Sequence, residues 1–286
     1  MSTESSDPTD APKSYEDILG QQIESAMTEF ERSTEGLFLS ALSAGLDLGF
    51  GPLLIAAMLT LVSGVYSEPL TEILAANTYT VGFVFVVLDR TELFIEHTTL
   101  AVLPVLDRRA SPIELGRLWG LVLGGNLVGG VIFAVVMVTV GPAFGIFEVR
   151  TLAAIASPYV THSSGALLGG ALLAGWLMGL LSWLVLAARD TISRVFFVWL
   201  VAFVIGLGHL PHIIAGNIEM LAALLATPTV TPIAYARYLL IATVGNTIGG
   251  TVFVVLLKYG HIVRESDSAN TSIGRDDSEP EGQAEP

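Results

Sequence analysis

The sequence predicts an all-α integral membrane protein with six transmembrane helices in a 3+3 inverted repeat, the second and fifth helices broken. Three observations carry this. The 286 residues are 52% hydrophobic and only 14% charged, whereas a soluble domain carries about 25% charged residues. The charges also sit at the ends: residues 1–35 and 261–286 hold 16 of the 27 acids. Finally, "GGNLVGGVIFAVV" (Gly124–Val136) returns as "VGNTIGGTVFVVL" (Val244–Leu256), aligning Asn126 with Asn246 and Gly129-Gly130 with Gly249-Gly250.

Taken in order, residues 1–13 read as a disordered acidic tail. Their lack of a basic region before an apolar run predicts no cleavable signal. Residues 14–33 place Tyr15, Ile18, Leu19, Gln22, Ile23, Ala26 and Phe30 at helical spacing with acids between. They predict an amphipathic interfacial helix, lying on the membrane face or on a neighbouring subunit.

Residues 34–260 form the six-span domain. Leu37–Val62 is long enough for the roughly 30 Å hydrocarbon core. Leu74–Leu88 meets the polar break "DRTE" (Asp89–Glu92) and resumes as Leu93–Leu106. Leu118–Val140 spans, and a polar, small-residue loop runs to about Gly165. Ala166–Ala188 spans. Val195–Leu207 meets "GHLPHIIAGNIEM" (Gly208–Met220), within which Ile213–Ala226 continues. Ile233–Leu257 is the last span, and 261–286 is a second disordered acidic tail.

The third span thus matches the sixth. More faintly, "AGLDLGF" (Ala44–Phe50) matches "AGWLMGL" (Ala174–Leu180), pairing the first span with the fourth. An odd number of spans per repeat turns the halves upside down relative to each other. Paired broken segments in such repeats point to a solute site near the midplane. Arg32, Arg108, Arg109, Arg117, Arg189, Arg194, Lys258 and Arg264 fall on the side of the N-terminus, against Arg150 and Arg237 on the other. This bias predicts cytoplasmic termini in a plasma-membrane protein.

Irregular backbone in a membrane is tolerated only inside protein or beside a wet cavity. Pro211 removes an N–H and disfavours helix at Leu210, so a new helix can start near His212. Its first N–H groups and dipole offer an anion site, and an imidazole there adds a titratable proton. His209 is the second imidazole of the break. Glu219 follows His212 by seven residues, on the same helical face.

A net charge of −14 disfavours nucleic acid. The absence of Cys excludes disulfides and thiolate metal sites. No HExxH-type motif supports an enzyme, and no cofactor is expected. The residues alone leave open an anion path, a proton or cation path through Glu96, His97, His209, His212 and Glu219, or a neutral-solute pore.

Three stretches narrow this: "YTVGFVFVVLDRTELFIEHT" (Tyr79–Thr98) with its Leu93-Phe94 pair, "HIIAG" (His212–Gly216), and "GNTIGG" (Gly245–Gly250). Together they resemble the formate/nitrite transporter family across about residues 14–260. The resemblance implies a homopentamer of aquaporin-like protomers, each passing small weak-acid anions such as formate, nitrite, lactate or hydrosulfide. It makes His212 the central pore histidine and puts Phe94 on the pathway. Tyr79 and Phe83 fall at one constriction, and Ile205 falls near the other. The family commonly has Thr after Leu-Phe. Here Ile95, Glu96 and His97 follow, which implies a divergent subgroup.

Overall fold

The computed structural model describes residues 13–256, except for the side chains of residues 97–99 and 253–256. The expected tails therefore lie outside the described residues, apart from Lys13. No strand occurs among the described residues. The helices are α1 (Tyr15–Glu31), α2 (Thr34–Asp47), α3 (Phe50–Val62), α4 (Glu68–Asp89), α5 (Phe94–Leu106) and α6 (Pro112–Ala143). There follow α7 (Arg150–Thr161), α8 (Ser164–Ala187), α9 (Thr191–Leu207), α10 (Ile213–Ala226) and α11 (Pro232–Ile248), which continues as a π-helical stretch over Gly249–Leu256.

Among the described residues, four helical stretches are long and apolar enough to cross a membrane: Thr34–Val62, Glu68–Asp89, Pro112–Ala143 and Ser164–Ala187. α5, α9 and α10 are shorter apolar helices. Most helices begin on a side-chain cap, which occupies N–H groups that lack a partner within the helix. Ser14 and Ser111 make capping boxes with Asp17 and Glu114; Ser33, Ser163, Asp190 and Thr231 supply single caps. The Ser193 hydroxyl and N–H hold the Asp190 carboxyl below its usual range.

The repeat is visible in the packing. α2 crosses α6 as α8 crosses α11, and α4 packs along α9. The second piece of each broken helix leans on the other half: α10 on α6, and α5 on the π-helical stretch. Glycines permit the two crossings. A Cβ on Gly45 would run into the Asn126 carbonyl, and one on Gly175 would run into the Asn246 carbonyl. Gly129 and Gly249 likewise meet the carbonyls of Leu42 and Leu172. The faint "AGLDLGF"/"AGWLMGL" match therefore marks equivalent contact points.

Two segments go beyond the sequence reading. α1 packs its apolar stripe on its own chain, with Ile18, Leu19 and Ile23 against Leu103 of α5 and Trp183 of α8. The expected loop between Val140 and Gly165 contains a helix, which corrects that reading. α7 buries Thr151, Leu152, Ile155, Ala156 and Tyr159 and packs on α10 and α3. Its apolar residues do recur at helical spacing. The window is short, however, and Ser157-Pro158 interrupts it, so the period is weak against the polar background.

The crossings generate a test. Gly45→Ala or Gly175→Ala forces a Cβ against backbone and should cost about 1–3 kcal/mol, lowering the thermal unfolding midpoint of the detergent-solubilised protein. Gly20→Ala, whose Cβ would meet nothing nearby, should leave the midpoint equal or higher.

Candidate functional site

Both helix breaks are built the same way. Arg90 and His209 take left-handed backbone (φ 56° and 46°) just after α4 and α9 end. The next residue's N–H reaches back five positions: Thr91 to the Val86 carbonyl (3.2 Å), Leu210 to the Ile205 carbonyl (3.0 Å). This is a Schellman-type ending, adopted here without glycine. Three residues further on, α5 and α10 begin.

One asparagine holds each break. Asn126 Oδ1 accepts the Phe94 N–H at 2.8 Å, and its Nδ2 donates to the carbonyls of Glu92 and Ala41, both at 2.7 Å. Asn246 Oδ1 accepts the Ile213 N–H, and its Nδ2 donates to the carbonyls of Pro211 and Ala171, all at 2.8 Å. Both side chains are fully buried. An asparagine has the one acceptor and two donors needed.

Three of the first four N–H groups of α10 are matched within the fold. Ile213 gives its N–H to Asn246, Ala215 to His212 Nδ1 at 3.3 Å, and Gly216 to the His212 carbonyl at 2.8 Å. The dipole of the helix end remains, and the imidazole stands beside it as a side-chain donor.

His212 is the N-cap of α10. Because Nδ1 accepts a backbone N–H, the proton of the neutral ring sits on Nε2. Nε2 is buried without a hydrogen-bond partner. The ring stands edge-on to Phe83, centroids 4.9 Å apart, and Phe83 contacts Tyr79 at 5.1 Å. The His212 carbonyl also accepts the Tyr238 hydroxyl at 3.1 Å. In the other half, Leu93 occupies the equivalent position.

Cavities lie at opposite ends of α4 and α9. The first, about 440 Å³, is lined by Glu29, Val86, Arg90, Thr91, Glu92, Glu96, Leu100 and Arg194 among others. Arg32 reaches over from the end of α1 to pair with Glu29 at 2.9 Å and with the buried Glu92. The second, about 240 Å³, is lined by Glu68, Glu72, Tyr79, Ile155, Tyr159, Ile205, His209 and Glu219 among others. Between them runs the stretch of α4 from Tyr79 to Val86, about 10 Å of helix. Phe83 and His212 face each other there.

The expected residues distribute as follows. His212 is at the centre and Phe83 beside it. Tyr79 and Ile205, assigned by resemblance to different constrictions, line one and the same cavity. His209 is at the mouth of that cavity, 2.9 Å from Glu72. Glu219 is in its wall, 4% exposed, with Oε2 lacking a partner. Glu96 lines the other cavity. Phe94 turns away from both, into a groove between α6 and α11 against Trp119. The His97 side chain lies outside the described residues. The sequence reading missed Arg32, Arg90, Arg194, Tyr159 and Tyr238 as site residues. The break and the basic bias named the arginines' neighbourhood, but nothing local marks the tyrosines.

Comparison with known proteins fits this geometry. A model of the formate/nitrite transporter family matches residues 16–260. The chain belongs to the formate/nitrite transporter family. It is 28% identical over 253 residues to the inner membrane protein YfdC of Escherichia coli, covering 88% of this chain and 80% of that one. A probable formate transporter of Methanothermobacter thermautotrophicus is 26% identical over 239 residues (78% and 87% of the two chains). The nitrite transporter NirC of Salmonella typhimurium is 25% identical over 227 residues (77% and 81%). Among solved structures, an FNT family ion channel superposes with TM-score 0.76 at 20% identity, covering 86% of this chain and 99% of that one. A pentameric formate channel with formate bound gives 0.69 at 22%, covering 80% and 98%. The fold is that of these channels.

Asn246→Ala should orphan an N–H and two carbonyls at about 1–3 kcal/mol each. Asn246→Asp keeps the acceptor but turns a carboxylate towards two carbonyls. Both variants should unfold well below wild type in a thermal melt, and an unchanged midpoint for either would show that the clamp is dispensable.

Proposed function

We propose that the protein conducts small monovalent weak-acid anions of the formate and nitrite class, and neutralises them on the approach to His212. The observation that carries this is the buried, unpartnered Nε2 of His212 in the apolar stretch between two polar cavities. An ion entering that stretch loses its water, at a cost of several kcal/mol even after relaxation. The helix-break dipole draws the anion in. A proton taken up from the cavity turns it into a neutral acid. The Nε2–H group donates to the solute oxygen as it passes Phe83 and Tyr79.

The names of the relatives support formate and nitrite; lactate and hydrosulfide are the further members of the class we include. The pentameric neighbour supports a homopentamer of six-span protomers. We place it in the plasma membrane, with α1 at the cytoplasmic interface and both termini inside, on the Lys/Arg bias. In this reading residues 34–260 form the transport domain, and His209, Glu96, His97 and Glu219 belong to the path. Phe94, facing the α6–α11 groove, shapes it from behind. Transport is the activity; no cofactor or metal enters the mechanism.

One observation favours a proton or cation path instead: the second cavity is lined by Glu68, Glu72 and Glu219 without a described Lys or Arg. Stopped-flow uptake into proteoliposomes separates the two. Wild type should take up formate and nitrite faster as pH falls. His212→Phe should lose about fivefold or more, the worth of one neutral hydrogen bond. His212→Asn preserves the N-cap acceptor, and so distinguishes a lost fold from a lost donor. A proton or cation leak with no anion uptake at any pH would sink the anion reading.

A further inference from the structure

The second cavity has a chemistry that His212 does not explain. Glu219 projects from α10 into its wall, 4% exposed, and Oε2 has no hydrogen-bond partner. A carboxyl group held out of water without its full set of partners is expensive to keep. A structural role would have matched it with an Arg, a Lys or two N–H groups. Instead, the titratable groups facing it are tyrosines from three helices: Tyr79 of α4, Tyr159 of α7 and Tyr238 of α11. Tyr238 gives its hydroxyl to the His212 carbonyl. The Tyr159 hydroxyl sits beside the Glu219 carboxyl. At the mouth stand Glu68, Glu72 and His209, the last two paired. α3 contributes Ile55 and Leu59.

We propose that Glu219 and Tyr159 form a second solute site, which takes a small oxyanion together with one proton. The assignment rests on the anion reading above and deepens it. An ionised Glu219 repels an anion across a low-dielectric gap. With one proton between them, two carboxylate-type groups attract, because like charges that close cannot both stay ionised. The proton bridges Glu219 and the solute oxygen, and the Tyr159 hydroxyl donates to the solute's other oxygen. As the solute departs, the O–H bond of the Glu219 carboxyl breaks and an O–H bond forms on the solute oxygen, leaving Glu219 as the carboxylate. The solute then moves on as the neutral acid towards Phe83 and His212, taking the bridging proton with it, and Glu219 reloads from the vestibule water. The class of ligand is a planar or bent oxyanion of a weak acid, small enough for about 240 Å³.

The experiment is formate uptake into proteoliposomes between about pH 5 and pH 8, comparing wild type, Glu219→Gln and Tyr159→Phe. Glutamine keeps the shape and a hydrogen-bond donor but has no proton to hand over. The ratio of Glu219→Gln to wild-type flux should therefore be nearest one at the acid end, where the solute can arrive already protonated, and fall at least about threefold towards the alkaline end. Tyr159→Phe should raise the half-saturating formate concentration about fivefold, the loss of one neutral hydrogen bond, with the steepness of the pH profile unchanged. A flux ratio flat across pH overturns the site, and so does an unchanged half-saturation in Tyr159→Phe, which keeps the test alive if Glu219→Gln fails to assemble. Methylammonium uptake by wild type that Glu219→Gln abolishes also overturns it, making the cavity a cation site. Absence of wild-type formate flux at every pH overturns the anion reading itself, a result distinct from a flat ratio.

Discussion

The structure depends on two asparagines. A helix that stops halfway through a membrane leaves N–H and C=O groups with no water to turn to, and each one left unmatched costs kcal/mol. Asn126 and Asn246 each take one N–H and return two donors to carbonyls. Asp has no donors to return, and Leu has neither donor nor acceptor. The side chain is short, so the helix carrying it must lie almost against its neighbour. Gly45 and Gly175 allow that by leaving room for the asparagine's own backbone. Helix crossing, clamp and break are thus one device built twice, and the cavities follow from where the breaks fall.

The device is symmetric, but its contents are not. Arg90 and His209 share a left-handed backbone, yet one lines the larger cavity and the other pairs with Glu72. Leu93 and His212 share the position before the second helix. Leucine cannot cap, and histidine caps with one nitrogen while leaving the other unpartnered. Evenly built halves give matching breaks, and single substitutions in the frame give the two breaks different chemistry. One end carries Arg90 and Arg194 among its carboxylates. The other, among the described residues, is lined by carboxylates and one histidine without a Lys or Arg.

This division explains what was legible in the sequence. The repeat was legible because Asn-plus-Gly-Gly is needed by geometry, and geometry repeats with the chain. The breaks were legible because Pro211 and the polar "DRTE" interrupt apolar runs, and a membrane makes such interruptions conspicuous. What the breaks do with their N–H groups was not legible, since the acceptor for Ile213 comes from Asn246, 33 positions away. Tyr159 and Tyr238 were hidden for the same reason: they meet through the fold, with ring centroids 5.0 Å apart. α7 was hidden because twelve residues with Pro158 give too short a period. The pairing of Arg32 with Glu92 likewise joins chain positions that no local pattern connects.

The energetic logic also constrains where the proton must be. On the proposed path a permeating anion faces about 10 Å of wall formed by Tyr79, Phe83 and their neighbours. An idealised charge transfer into such a medium costs of order 20 kcal/mol, and several kcal/mol survive relaxation. A single Nε2–H donor returns about 1.5–3 kcal/mol, too little to carry a bare anion across but enough to hold a neutral acid in line. Neutralisation therefore has to be complete before the solute reaches His212, not at it. In the proposed mechanism that places the deciding chemistry in the cavities, whose carboxylates are where a proton can wait for the solute that will take it.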